Sequence, residues 1–396
     1  MIISSNSQGV FQKKNHRWHG VKVLQVLPAL GVGGVEVGTV QIAKALKSVG
    51  SEPHVVSSGG QFEEILQSLG VRVHRLPLAS KNPVTIFKNA KALLDLIERE
   101  KIDLVHVRSR GPAWSVLRAL RNQKTPWIAT FHGTYNFNST LKKLYNSVMV
   151  RGRKVIAISD FIRNHIEKHY GSYVSASNIH VIHRGVDCER FSPDAVSTDA
   201  VEQFKKDLGI SLHVPVITMP GRLTAWKGQK IFIEALSSLK QFHFQALIVG
   251  PSKNKSDYKQ ALHELINKLG LSKQVQVLEG VDSMPLLYKA SDVVVHASVE
   301  PEGFGRTIIE AQACGRPVIA SKLGAPCEII EEGLTGFLIP PADPKMLACA
   351  IERYLTLPDK EKEMLSFNSR LRAQTYFSEA LMCDRTLNLY ADILEC

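Results

Sequence analysis

Residues 298–321 read SVEPEGFGRTIIEAQACGRPVIAS. The run before them, Asp292-Val-Val-Val-His-Ala297, is short and apolar, as expected of a strand buried on both faces of a parallel sheet. The stretch opens as a loop carrying Glu300, Glu302, Gly303 and Gly305, turns helical over 306–314, and is stopped by Gly315 and Pro317. A second apolar run, 317–321, follows directly. Strand, glycine-bearing loop, helix and strand form one winding of an open parallel sheet, whose ligands bind beyond the carboxyl ends of the strands.

Glycines at 303 and 305 let backbone N–H groups approach an oxygen-rich ligand, and the helix that follows points its positive end at the same place. Seven residues separate Glu302 from Glu310, so Glu302 falls in the loop and Glu310 on the second helical turn. Two carboxylates beside an anion-binding turn suit a ligand with phosphates and many hydroxyls, a nucleotide sugar. A plain glycine-rich loop with helix-capping acids has the same spacing.

Glu302-Gly-Phe-Gly305, together with Glu310, Ala311, Ala313, Cys314, Gly315, Pro317 and Val318, resembles the E-x7-E signature of retaining glycosyltransferases of family 4. The resemblance runs from about Val21 to the end of the chain and is strongest over 220–340. It implies an α/β protein of the GT-B fold, two Rossmann-like domains with a cleft between them. It also implies transfer of a sugar, with retention, from a nucleoside diphosphate sugar to a glycan or glycolipid acceptor of the lipopolysaccharide type.

The bulk numbers agree. A chain of 396 residues is long for one core and suggests two domains. Apolar content of 44% and charged content of 22% are those of a globular protein. The net charge of +12 favours anionic partners, but the basic residues are dispersed, which argues against nucleic acid. Cysteines 188, 314, 327, 349, 383 and 396 form no C-x-x-C pair and read as reduced thiols of a cytoplasmic protein, with Cys314 and Cys349 in core-like helices. No run is long enough to span a bilayer. Residues 1–20 are polar, lack the apolar stretch of a signal peptide, and read as a loose arm.

The N-terminal domain is expected over 21–195. A strand at 21–27 runs into the turn Gly31-Val-Gly-Gly-Val-Glu36 and a helix over 37–46. The turn is not in the dinucleotide register, which disfavours a dehydrogenase. The resemblance places Gly34 near the donor diphosphate; a plain tight turn is the alternative. Further strands are expected at 54–58, 71–76, 104–107, 127–130 and 155–158, and a helix over 83–100, an alternation that predicts a parallel sheet covered on both sides. Arg108 and Arg110 lie beyond one strand and are acceptor-site candidates. His132 lies beyond another, and the resemblance sets it against the transferred sugar. Residues 135–153 carry Lys142, Lys143, Arg151 and Arg153 among apolar residues, a candidate face for an anionic membrane surface and equally an ordinary half-buried helix. Gly185, in Ile182-His-Arg-Gly-Val-Asp187, suits a hinge.

The donor domain is expected over 196–375, with a last helix, 376–396, crossing back to the first domain as GT-B proteins do. Arg222 and Lys227 share one loop after the strand at 216–220, and the resemblance sets both against the donor's two phosphates. No D-x-D motif is present, so two fixed cations would replace a metal, and no cofactor is expected. Gly280-Val281-Asp282 resembles the family's base-contacting loop, with Val281 acting through its backbone. Glu310 would bind the ribose. Glu302, with the backbone of Gly303, Phe304 and Gly305, would orient the sugar. Arg306 and Thr307 open the helix beside the donor, Arg306 either touching the leaving phosphate or capping the helix. A double displacement would need a further carboxylate at the anomeric carbon, for which Asp103 and Asp160 lie near strands; front-face attack is favoured. The competing readings are another GT-B sugar-nucleotide enzyme, such as an epimerase, and a non-catalytic nucleotide-sugar-binding protein.

Overall fold

The computed structural model describes residues 17–31, 33–80, 82–135, 139–251 and 257–395. The first sixteen residues of the expected arm lie outside these. The chain divides into two compact units, Met1–His183 with Leu381–Cys396, and Arg184–Ala380. The first crossing is therefore at His183 rather than near 195.

Unit 1 runs β1 Lys22–Val26, α1 Gly34–Ser48, β2 Glu52–Ser57, α2 Glu63–Ser68, β3 Arg72–Arg75, α3 Pro83–Glu100, β4 Leu104–Val107, α4 Arg110–Ala119, β5 Trp127–Phe131, α5 Thr140–Asn146, β6 Lys154–Ala157, α6 Asp160–Tyr170 and β7 Ile179–Val181. The strands form one parallel sheet in the order β3-β2-β1-β4-β5-β6-β7. Crossover helices cover both faces, so β1 has Val23, Leu24 and Val26 fully buried, the continuous apolar run of a central parallel strand. Helix α3 starts where Asn82 accepts a hydrogen bond from the Val84 amide and Pro83 takes the first turn. The sequence did not announce β7, because three residues carry no readable period.

One face of this sheet packs against the end of the chain. Helix α15, Glu379–Leu394, places Met382, Cys383, Leu387, Tyr390 and Ile393 against Val23, Ile42, Leu104, Ile128 and Ile156. Trp18 belongs to the same cluster at 5% exposure, so the expected loose arm ends before it. Further along the same face the strands turn polar. His106 is buried between Tyr390 and Thr130, with Nδ1 2.5 Å from the tyrosine oxygen and Nε2 2.6 Å from Thr130 Oγ1. Arg108 is also buried, at 3% exposure, with Nε and one terminal nitrogen donating to Gln25 Oε1. Burial pulls its pKa down. It therefore cannot serve as a surface acceptor-site arginine.

Unit 2 runs α7 Thr198–Asp207, β8 Val216–Pro220, α8 Gln229–Ser237, β9 Gln245–Val249, α9 Asp257–Lys268, β10 Val275–Leu278, α10 Met284–Ala290, β11 Val293–His296, α11 Arg306–Ala313, β12 Val318–Ser321, α12 Pro326–Ile329, β13 Gly336–Ile339, α13 Pro344–Thr356 and α14 Asp359–Tyr376. Its sheet is parallel in the order β10-β9-β8-β11-β12-β13. Gly185 lies two residues past the first boundary between the units and is closely packed. The Val186 amide donates to Phe377 O and the Glu379 amide to Val186 O, each at 2.8 Å, and a Cβ at 185 would sit 2.6 Å from Glu379 Cα. The glycine is there because the neighbouring chain leaves no room. Cys314 is buried as expected, whereas Cys349 is exposed. Among the described residues no helix is long and apolar enough to cross a membrane.

His54 on β2 is fully buried and stacks on His74 of β3 at 5.3 Å between ring centroids. Burial, and then the neighbouring His74, push its pKa down to about 4 from the ordinary 6.5. The unfolded chain therefore takes up the proton first. The contribution is whole above pH 6.5 and is lost as pH falls toward 4. Denaturant melts across that window should show stability falling by on the order of 3 kcal/mol from this residue, and His54→Gln should flatten the slope.

Candidate functional site

In unit 2 the chain leaves β8 for β9 on one side and leaves β11 for β12 on the other, so β8 and β11 flank the point where the winding direction reverses. Ligand sites of open parallel sheets lie beyond the carboxyl ends of such a pair. The loops concerned are 221–228 and 297–305.

Main-chain contacts lock the two loops together. Gly228 has φ +81°, and a Cβ on it would lie 2.0 Å from the Ala297 carbonyl oxygen. The Val299 amide donates to Trp226 O at 2.8 Å. The stem of Lys227 runs beside Gly221, where a Cβ would be 3.7 Å from it, and its ammonium lies 4.5 Å from the centroid of the Trp226 ring. That course brings Lys227 Nζ into a hydrogen-bonded ion pair with Glu302 Oε1, the two side chains 13% and 11% exposed. Ser298 Oγ donates to the same oxygen at 2.8 Å, and His296 Nε2 stands 3.1 Å from it. Burial alone would raise the Glu302 pKa; His296 when protonated, and Lys227, outweigh it and hold the carboxyl well below the usual range. From the other side the Ala325 amide donates to Glu302 O at 3.1 Å, and Gly324, with φ +78°, leaves only 2.7 Å between that oxygen and a would-be Cβ.

Helix α11 starts at Arg306 behind Gly305, which has φ +100° and provides no side-chain cap. Glu310 is on its second turn as expected. Its Oε2 accepts from Tyr288 OH at 3.1 Å, and its Oε1 from the Arg306 guanidinium at 3.1 and 3.3 Å. Burial, then Glu310, push the Tyr288 hydroxyl well up, which keeps it a donor. Arg306 thus pairs within its own helix, and Thr307 is half-buried behind it. Phe304 is buried edge-on against Phe377, so only its backbone can face a ligand. Arg222 is exposed on the Lys227 loop, its carbonyl accepting from Gln229 Nε2 at 2.9 Å. Val281 packs its side chain on the core beside α10, which leaves its backbone for the expected contact.

In unit 1, β1 and β4 form the corresponding reversal point. Gly34 opens α1 after β1, and His132 follows β5 directly. Arg110 donates to Asn146 Oδ1 at 2.8 Å and stacks over Tyr135, 4.2 Å from its centroid. Asp103 precedes β4, at the amino edge of the sheet, and accepts from the Lys22 amide, so it is no nucleophile for the carboxyl edge. Asp160 opens α6 with its side chain 58% exposed.

Sequence reasoning missed His296, Ser298 and Tyr288. The first two stood in plain view, a histidine inside a run of valines and a serine just after it. Tyr288 lay one element away, where no motif points to it.

Two family models match the chain, "Glycosyltransferase Family 4" over residues 32–190 and "Glycosyl transferases group 1" over residues 200–372. Among solved structures, a glycosyltransferase from Rickettsia africae is 37% identical, covers 95% of this chain and 99% of its own, and superposes with a TM-score of 0.89. HepE of Anabaena, solved in complex with UDP and glucose, is 24% identical over 94% of this chain and 100% of its own, with a TM-score of 0.81, and shows the fold. Among curated proteins, the UDP-Gal:alpha-D-GlcNAc-diphosphoundecaprenol alpha-1,3-galactosyltransferase of Escherichia coli is 27% identical over 96% of this chain and 99% of its own. With both sheets, both family domains and a full-length relative in agreement, the chain belongs to the glycosyltransferases of GT-B fold, family 4 in its N-terminal part and group 1 in its C-terminal part.

Proposed function

We propose that the protein transfers a sugar from a nucleoside diphosphate sugar to a glycolipid or glycan acceptor, with retention at the anomeric carbon and without a metal. One observation carries the reading: Lys227 and Glu302 meet where the loops after β8 and β11 are locked together, with Arg222 on the first loop and the Arg306–Glu310 helix opening from the second. The relatives lend chemistry to it, one named for a UDP-Gal donor and a diphosphoundecaprenol acceptor, another solved with UDP.

In this reading Arg222 and Lys227 stabilise the charge that grows on the departing diphosphate, the task a metal performs elsewhere. Glu310 accepts from the ribose hydroxyls with the lone pairs that Tyr288 and Arg306 leave over. Glu302 and the amides of 303–305 orient the sugar, Gly34 leaves room for the diphosphate, Val281 reads the base through its backbone, and His132 of unit 1 is assigned to the transferred sugar. Retention then proceeds by front-face attack, the leaving phosphate taking the acceptor's proton. Helix α5, with Leu141 79% and Leu144 43% exposed beside Lys142 and Lys143, supports contact with anionic lipid at the cytoplasmic face of a membrane. Val148, Met149 and Val150 are buried, so the lipid-facing stretch is shorter than the sequence suggested.

Thermal-shift screening with UDP, GDP and ADP identifies the base, and proton NMR of the first product formed reads the anomeric outcome; an inverted product overturns retention. Arg222→Ala and Lys227→Ala are each expected to lower kcat by about a hundredfold or more, and near-normal rates in both would remove the phosphate assignment. Activity should survive a chelator, strict Mg²⁺ dependence being the contrary result. Co-sedimentation should favour vesicles containing acidic lipid over neutral ones, and Leu141→Ser with Lys142→Ser should abolish the preference.

A further inference from the structure

His296 closes β11 and is buried, its side chain 2% exposed, yet neither ring nitrogen has an aligned hydrogen bond. A buried polar ring left in that condition is costly and calls for a reason. Its Nε2 is 3.1 Å from Glu302 Oε1, the oxygen that already takes Lys227 Nζ and Ser298 Oγ. The same nitrogen faces the glycine loop, 3.8 Å from a Cβ placed on Gly305. Among the described residues the charged groups shown at it are Glu302 from its own loop and, through the same oxygen, Lys227 from the loop after β8; Ser298 and the Gly305–Ile308 turn add none. One carboxylate oxygen thus has a lysine in contact and a histidine in reserve.

We propose that His296 is a positioning residue that takes over Glu302 when Lys227 turns from it to the donor's diphosphate. This rests on the donor reading above. The diphosphate carries more negative charge than one carboxylate and draws the ammonium off. Glu302 would then be a buried carboxylate with a single hydroxyl donor, and burial would push a proton onto it. At the same time the ammonium that shared the oxygen has gone, and His296 Nε2, 3.1 Å from Glu302 Oε1, is the nearest ring nitrogen able to bring a charged donor to it. A proton from solvent lands on His296, and Nε2–H closes on Glu302 Oε1. Glu302 stays ionised and fixed for the sugar, and nucleotide binding is accompanied by proton uptake.

The test is calorimetric titration of the full chain with UDP at pH 7.5, where the terminal phosphate, with a pKa of about 6, is already ionised. GDP and ADP are titrated in the same way. Measurements in two buffers of different ionisation enthalpy give the protons taken up. The expected result is uptake of a fraction of one proton per nucleotide, lost in His296→Asn and, by a separate perturbation, in Glu302→Gln, while both variants still bind nucleotide. In turnover, His296→Asn should lower kcat by about tenfold or more with donor KM changed by no more than about threefold, and its rate should lose the wild-type dependence on pH. Nucleotide binding without buffer dependence, or uptake that persists in both variants, overturns the role of His296 and leaves the donor reading standing. Failure of UDP, GDP and ADP to bind overturns both.

Discussion

A glycine pressed against a carbonyl sets the geometry of the second unit. Gly228 sits so close to Ala297 that no side chain fits, and its left-handed backbone is one that glycine adopts without cost. The Val299–Trp226 hydrogen bond closes the same junction. Because β8 and β11 are adjacent parallel strands, this contact turns two separate loops into one surface. Lys227 meets Glu302 for that reason, though the two are 75 residues apart in the chain.

The two carboxylates of the organising stretch have opposite surroundings. Glu302 has a lysine ammonium, a hydroxyl and an imidazole nitrogen all directed at one oxygen. Glu310 has its two oxygens shared out between a phenol and an arginine of its own helix. In the low dielectric of a buried site each anion is tightly held, and each has lone pairs left for a polyhydroxylated ligand. The surplus positive charge of the chain lies elsewhere. Within this cluster Lys227 is set against Glu302 and Arg306 against Glu310.

Much of this was legible in the sequence, because its strongest signals are local. Short apolar runs alternating with amphipathic helices gave both parallel sheets, and the stretch 298–321 gave the loop, helix and strand that carry Glu302 and Glu310. The position of Glu310 follows from helical spacing alone, whereas its pairing with Arg306 on the same helix was not read from the sequence. Other features depend on neighbours far apart in sequence. Arg108 looked like a surface cation until Gln25 on the adjacent strand proved to be its partner. Why residue 185 is a glycine shows only in residues 377–379, which lie against it and leave no room for a side chain. His296 read as one more strand residue, because nothing in a run of valines shows that its ring will face a carboxylate six positions later. Tyr288 and Trp18 were silent for the same reason: their roles lie in packing rather than in pattern.

The placement of helix α15 bears on how the chain folds as it is made. The sheet of unit 1 is translated early, but Met382, Leu387, Tyr390 and Ile393, which cover one of its faces, emerge only after the whole of unit 2. Until then Val23, Leu104, Ile128 and Ile156 lack the cover that these side chains supply, and His106 lacks its phenol. The early-made half must therefore wait, part-finished and with apolar surface uncovered, for the last-made segment. A nascent chain stalled anywhere before residue 381 is for that reason a natural client for chaperones, and of the two units the second is the one able to complete its core first.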